Sequence, residues 1–125
     1  MIRVNDKMII ALHTLVSEES GGDNGLRDIA LLDSAIESAY QTFGGEELYP
    51  GVIEKAARIA YAIICNHAFV DGNKRIGVLT LLTILHLCGI RLSLTNDDII
   101  KIGLSLASGE MDYADLVRWV KERVN

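Results

Sequence analysis

Apolar residues recur at the three- and four-residue spacing of an amphipathic helix along most of the chain, and no stretch alternates convincingly like a half-buried strand. Capping residues and glycines divide this pattern into segments, and a polar N-cap residue precedes most of them. The sequence therefore predicts six consecutive helices, at about residues 6–20, 29–40, 50–66, 73–87, 96–108 and 113–124.

The fourth predicted helix, residues 73–87, is apolar on almost every side. A helix of this kind is buried among neighbours, because any face turned to water would expose apolar area. Its weakly polar positions form a single stripe of Gly77, Thr80, Thr83 and His86. We therefore predict an all-α fold, a compact bundle of about six helices around this central buried helix.

Residues 41–50 interrupt the helical pattern with a glycine pair and the single proline of the chain. They are predicted to form a loop or short hairpin, a flap that positions a protein substrate and is anchored by Phe43 and Leu48. In the helix that follows, Glu54 and Arg58 have the spacing of an ion pair.

Length, composition and charge limit the possible functions. The chain has 125 residues, 50% apolar and 23% charged, which fits one globular domain over residues 1–125. Its 12 Lys and Arg against 17 Asp and Glu leave a formal charge of −5, which argues against a protein that coats nucleic acid or anionic membrane. Any phosphate that the protein binds must therefore be held by a local site.

Targeting signals and cysteines indicate the compartment. The first residues lack the basic-then-apolar order of a secretion signal, and the longest apolar run, residues 76–90, is shorter than the roughly 20 residues of a membrane span. Cys65 and Cys88 lie in apolar stretches and are expected to be buried thiols in a reducing compartment. We therefore expect a cytoplasmic protein without a membrane segment.

The segment between the third and fourth helices concentrates polar side chains; it reads His67-Ala68-Phe69-Val70-Asp71-Gly72-Asn73-Lys74-Arg75. One interpretation treats it as a capping turn, with Asp71 as the N-cap and the basic residues in solvent. Basic residues in a first helical turn oppose the helix dipole, however, unless an anion neutralises them. A phosphate site at this helix start is therefore the second interpretation.

Each residue type in this segment has a place in phosphate chemistry. Main-chain and side-chain donors to an anion would come from Gly72, Asn73, Lys74 and Arg75. Asp71 would meet phosphate oxygens through a divalent cation, and Mg²⁺ favours one carboxylate together with phosphate oxygens. His67 has the side chain that accepts a proton near neutral pH.

The same nine residues fill every specified position of the Fic/Doc superfamily signature, His-x-Phe-x-(Asp/Glu)-Gly-Asn-(Gly/Lys)-Arg, and the chain resembles that family. The surroundings are similar to its death-on-curing (Doc) branch in several stretches: Gly25-Leu26-Arg27-Asp28, Leu31-Leu32-Asp33-Ser34-Ala35, Tyr49-Pro50, Lys55-Ala56-Ala57 and Asn66. The resemblance covers residues 8 to 110 and implies a Fic/Doc-like fold with a short flap.

The resemblance implies a role for each site residue. His67 would be the general base that takes the proton of a target hydroxyl, and Asp71 would hold Mg²⁺. The phosphates of the nucleotide would be bound by Gly72, Asn73, Lys74 and Arg75. Lys74 and Val78 stand where adenylyl-transferring relatives have Gly and a second Arg, and both departures favour the Doc branch.

The Doc branch implies a toxin that moves the terminal phosphate of a nucleoside triphosphate, such as ATP, to a Ser or Thr hydroxyl of a protein, with elongation factor Tu as the expected target. An antitoxin is the expected partner. The self-inhibitory Ser/Thr-x-x-x-Glu-Gly/Asn motif of some relatives is incomplete here, because Glu follows both Thr14–Glu18 and Thr42–Glu46.

Three alternatives remain beside this interpretation. Adenylyl transfer could occur on the same fold, and a binding module could retain the fold without catalysis. A metal hydrolase that also uses His13 and His86 is disfavoured, because both histidines stand alone on apolar helices, where a hydrogen-bonded core or surface histidine is commoner.

Overall fold

Six α-helices account for most of residues 3–20 and 25–125, the parts of the chain that the computed structural model describes. The helices are α1 (Asp6–Ser20), α2 (Ile29–Glu37), α3 (Val52–Asn66), α4 (Asn73–Leu87), α5 (Asn96–Ser108) and α6 (Tyr113–Glu122). A 3₁₀ turn, Ser38–Tyr40, extends α2, and a hairpin of β1 (Thr42–Phe43) and β2 (Glu46–Glu47) precedes α3. The predicted all-α bundle is confirmed.

Local capping explains where several helices begin. The Asp28 side chain accepts the N–H of Ala30, and Thr95 and Asp112 each form a reciprocal capping box with the aspartate three residues later. The Asn5 side chain caps α1 by accepting the N–H of Met8. Because these signals lie within a few residues of sequence, the predicted helix starts agree closely with the structure.

Helices α3 and α4 pack against each other at the centre of the bundle. On its other sides α4 contacts α1 and α5, while α3 contacts α2, the 3₁₀ turn and α6. Both central helices contribute fully buried side chains, among them Ile59, Ile63, Ile76 and Leu81. The predicted central position of α4 is therefore confirmed, and α3 shares it.

Some predicted side-chain contacts are wrong. Glu54 pairs with Lys121 on α6 at 2.8 Å, and the hydrogen bond from that lysine holds the pKa of the Glu54 carboxyl below its usual value. The Arg58 guanidinium instead donates to the Ser38 hydroxyl at 3.2 Å. Cys65 is exposed and Cys88 half-buried, both as free thiols, so the expected burial fails at Cys65.

The hairpin is held to the bundle by a charged residue instead of the two apolar residues that the sequence favoured. Phe43 and Leu48 are 80% and 49% exposed and do not anchor it. The buried ammonium group of Lys55 donates to the Tyr49 carbonyl and lies 2.9 Å from the Glu47 carboxylate. Lys55 on α3 therefore fixes the base of the flap.

Two further sequence predictions concern the end of the first helix and a membrane span. The Gly21-Gly22 pair predicted to stop the first helix lies outside the described residues. Within residues 3–20 and 25–125, no helix is long and apolar enough to cross a membrane.

The glycine on α4 that faces α3 yields a stability prediction. A Cβ at Gly77 would lie 2.5 Å from Ile64 Cγ1 and 3.1 Å from the Ala60 carbonyl oxygen, whereas one at Gly103 on α5 would meet Val78 Cγ2 at 3.8 Å. Gly77→Ala should therefore destabilise the fold by about 1–3 kcal/mol through overpacking. Gly103→Ala should stabilise it by about 0.5–1 kcal/mol, because alanine is the better helix former.

Urea unfolding followed by circular dichroism measures both changes on the same scale. Destabilisation by Gly103→Ala equal to that of Gly77→Ala, or stabilisation by both, would contradict the close α3–α4 contact.

Candidate active site

The loop from His67 to Gly72 joins the two central helices and is pinned by the chain segment that precedes α2. The N–H groups of Arg27 and Asp28 donate to the Ala68 carbonyl at 2.9 and 3.1 Å, and the Val70 N–H donates to the Gly25 carbonyl at 3.0 Å. These bonds fix the first half of the loop to a helix start that Asp28 itself caps.

His67 ends α3 in the left-handed region, with φ 52 and ψ 54, and is the one non-glycine residue with positive φ in the described parts of the chain. The Arg27 guanidinium donates to its carbonyl at 2.7 Å and to that of Asn66 at 3.0 Å. A strained backbone persists only where its surroundings determine it, and such positions cluster at functional sites. The imidazole remains exposed at the edge of a cleft.

Asn73 holds the loop closed with its side chain. Its Oδ1 accepts the N–H of Phe69 at 3.1 Å, and its Nδ2 donates to the carbonyl of the same residue at 2.9 Å. The Phe69 ring is buried and lies flat on the His13 ring, with centroids 3.9 Å apart. Because the Asn73 amide is engaged with the loop, its main-chain N–H is the group that it offers to a ligand.

The start of α4 differs from the starts of α2, α5 and α6 because no side chain caps it. Its N-cap is Gly72, with φ 78, and the first intrahelical bond runs from the Ile76 N–H to the Gly72 carbonyl. In the described chain, the N–H groups of Asn73, Lys74 and Arg75 have no hydrogen-bond partner. Free amides and two exposed cations form an anion cradle at this helix start.

Asp71 places one exposed carboxylate beside the cradle, and its Oδ1 accepts the Gly72 N–H at 2.8 Å. No group of three or more His, Cys, Asp or Glu side chains that could hold a metal occurs among residues 3–20 and 25–125. Asp71 therefore lacks the partners for an all-protein metal cage. One carboxylate beside an anion cradle fits Mg²⁺, which takes its other ligands from phosphate oxygens and water.

Two clefts, each of about 630 Å³, meet at Asp71, Gly72 and Lys74. One contains His67 and is also lined by Tyr61 and Cys65. The charge of Cys65 and its hydrogen bond with Tyr61 raise the pKa of the tyrosine. The other runs between α1, α4 and α5 and is mainly apolar; its lining includes Arg75, Val78, Leu79, Leu82, Ile99 and Leu104. An anion in the cradle would be accessible from both sides.

The structure separates the predicted site residues by position. His67, Asp71, Gly72, Asn73 and Lys74 line one cleft, whereas Arg75 faces only the apolar one. The positions are consistent with the expected roles, which remain predictions. His13 is a hydrogen-bonded core histidine, as its place on an apolar helix indicated, but its contact with Asp71 was not predicted. Arg27 had no predicted role.

Comparisons with known proteins agree with this geometry. The Fic/DOC family model matches residues 3–85, which include the whole loop and its supports on α1 and in the segment before α2. The Toxin Doc of Mycolicibacterium smegmatis (strain ATCC 700084 / mc(2)155) is 40% identical over 73 residues. That match spans 58% of this chain and 56% of the toxin, just over half the length of each. The chain belongs to the Fic/DOC family.

Proposed function

We propose that this protein is a Doc-type toxin that transfers the terminal phosphate of a nucleoside triphosphate to a Ser or Thr hydroxyl of a protein. One observation carries the proposal: His67, Asp71 and the uncapped start of α4 line the same cleft. A base, a carboxylate for a cation and an anion cradle are the groups that phosphoryl transfer requires.

The chemistry assigns one task to each group. The target hydroxyl oxygen forms a bond to the γ-phosphorus while the bond from that phosphorus to the bridging oxygen breaks, and the nucleoside diphosphate leaves. His67 accepts the hydroxyl proton and passes it to solvent after transfer. Asp71 would hold Mg²⁺, and the ion would supply charge neutralisation when bound.

Electrostatic stabilisation is the larger part of the proposed catalysis. In the proposed complex, the main-chain amides of Asn73 and Lys74 and the ammonium group of Lys74, which line the cleft, would donate to the phosphate oxygens that gain charge. Fixed donors of this kind need no reorganisation during the reaction, which is why phosphoryl transfer depends mainly on positioning and charge.

Adenylyl transfer is the enzymatic alternative, because the same cradle could hold an α-phosphate. Lys74 and Val78 favour the terminal phosphate through the resemblance to the Doc branch. A non-catalytic binding module is the second alternative, and it is weakened because a pure binder has no need for a base and a cation ligand at one cleft.

The proposed protein target is elongation factor Tu, which places the activity in the cytoplasm. The flap is suited to an extended target segment, because its two strands pair only with each other among the described residues and each keeps an open edge. The exposed Phe43 and Leu48 add apolar contact area beside that edge.

The proposed controlling partner is an antitoxin protein. The relative from Mycolicibacterium smegmatis is named a toxin, and the self-inhibitory motif is incomplete in this chain. Exposed Ile100 and Leu104 on α5 flank the apolar cleft next to the cradle. A second chain on this surface would cover an exposed apolar patch and Arg75 together.

The position of the transferred label distinguishes the three candidate functions. ATP labelled at its γ-phosphate should transfer label to elongation factor Tu in the presence of Mg²⁺, and ATP labelled at its α-phosphate should not. Transfer from the α-position alone would establish adenylyl transfer, and tight ATP binding with neither label transferred would support the binding module.

Substitutions of His67 and Asp71 should affect different measured quantities, the transfer rate and the Mg²⁺ dependence of nucleotide binding. His67→Ala should lower the transfer rate by about 10²–10⁴-fold and leave folding intact, because the imidazole is exposed at a helix end. Asp71→Asn should abolish the Mg²⁺ dependence of nucleotide binding. Rates and titrations of both variants are compared with His86→Ala, an exposed histidine on α4 away from the loop. An equal rate loss in His86→Ala would contradict the role of His67.

The flap can be broken at its turn without disturbing the bundle. Gly44 and Gly45 have φ of 61 and 83, which proline cannot adopt, so the double proline variant should lose the hairpin and most of its protein modification. Gly44→Asn is the matched control, because asparagine tolerates the left-handed region. Unchanged target modification by the folded proline variant would exclude the flap role.

A further inference from the structure

The Asp71–Gly72 peptide is bonded at both of its edges. Its carbonyl oxygen lies 2.6 Å from His13 Nε2 on α1, and its N–H donates to Asp71 Oδ1 at 2.8 Å. In a planar trans peptide, the C=O and N–H point in opposite directions. A carbonyl held towards α1 therefore directs the N–H outward to the carboxylate.

The His13 ring is built into the core beneath the loop. It is 1% exposed, stacks on Phe69 with an interplanar angle of 10°, and lies 3.4 Å from where a Cβ on Gly72 would stand. A carbonyl only accepts hydrogen bonds, so Nε2 carries the proton. The Nδ1 atom lies 3.5 Å from the Ser17 hydroxyl on the same helix.

The glycine at position 72 would allow the Asp71–Gly72 peptide to rotate if these hydrogen bonds were absent. Gly72 has φ 78, and a glycine backbone occupies positive and negative φ with similar ease. A flipped peptide would point its carbonyl into the anion cradle and withdraw the N–H from Asp71. The hydrogen bond from His13 opposes this flip.

We infer that His13 is a positioning residue that fixes the orientation of the Asp71–Gly72 peptide, and through it both the Asp71 carboxylate and the polarity of the cradle. The inference rests on the proposed function, since His13 would support the residues that bind Mg²⁺–ATP at the same site. His13 itself does not line either cleft at the cradle. Its effect on Mg²⁺–ATP therefore passes through the peptide.

Two variants separate the donor from the ring. His13→Phe keeps the stacking on Phe69 and removes the donor, whereas His13→Gln restores an N–H at about the position of Nε2. Titration calorimetry with Mg²⁺–ATP should show affinity weakened by roughly tenfold in His13→Phe and largely recovered in His13→Gln. Val120→Ala creates a cavity where α6 packs against the core and is the control for lost stability. It should bind Mg²⁺–ATP as tightly as the unsubstituted protein does.

Several results would overturn the inference. Unchanged affinity in His13→Phe would do so, as would an equal loss in His13→Gln or in Val120→Ala. If His13→Phe does not fold, long-range ¹H–¹⁵N correlation on the unsubstituted protein decides, because a His13 ring whose Nε2 carries no proton cannot donate to the Asp71 carbonyl. Failure of the unsubstituted protein to bind Mg²⁺–ATP would instead refute the proposed function, and the ring measurement would still test the His13 bond.

Discussion

The uncapped start of α4 is the constraint on which the rest of the site depends. A helix start without side-chain caps leaves donors that need a partner, and in the described chain Asn73, Lys74 and Arg75 present three such N–H groups. An acidic residue in the first turn would satisfy this end electrostatically, but the chain has two cations there. A bound anion would satisfy the amides and the cations at once.

Holding these donors in place requires support from three directions. The Asn73 side chain is hydrogen-bonded to the Phe69 backbone. The segment before α2 is hydrogen-bonded to the backbone of His67 and Ala68, and His13 on α1 contacts the Asp71 carbonyl. The close α3–α4 contact at Gly77 sets the separation of the two helix ends that the loop joins. The rigidity that positions His67 and Asp71 therefore comes from the packing of the whole bundle.

The parts of the fold that local contacts determine could be predicted from the sequence. The caps at Asp28, Thr95 and Asp112 act within three residues, and α4 is apolar enough to require burial, so helix positions and the all-α class could be predicted. Partners across the bundle could not be predicted from spacing. Glu54 pairs with Lys121 on α6, because folding brings this lysine, distant in sequence, within reach of the carboxylate.

The site divides in the same way. The nine-residue signature located the proposed base, the proposed cation ligand and the cradle, because all of them lie in one contiguous segment, the loop and the first turn of α4. The residues that orient the loop come from α1 and from the segment before α2, at separations of 58 residues for His13 and Asp71 and 40 for Arg27 and His67. No local pattern links positions so far apart, so these supports are visible only in three dimensions.

An NMR titration of the ¹⁵N-labelled protein with Mg²⁺–ATP tests the central claim most directly. If the α4 start binds the phosphates, the amide resonances of Gly72, Asn73, Lys74 and Arg75 should shift together and saturate with one affinity, and AMP should shift them much less. Saturable shifts confined to other parts of the chain, with these four amides unmoved, would contradict the account.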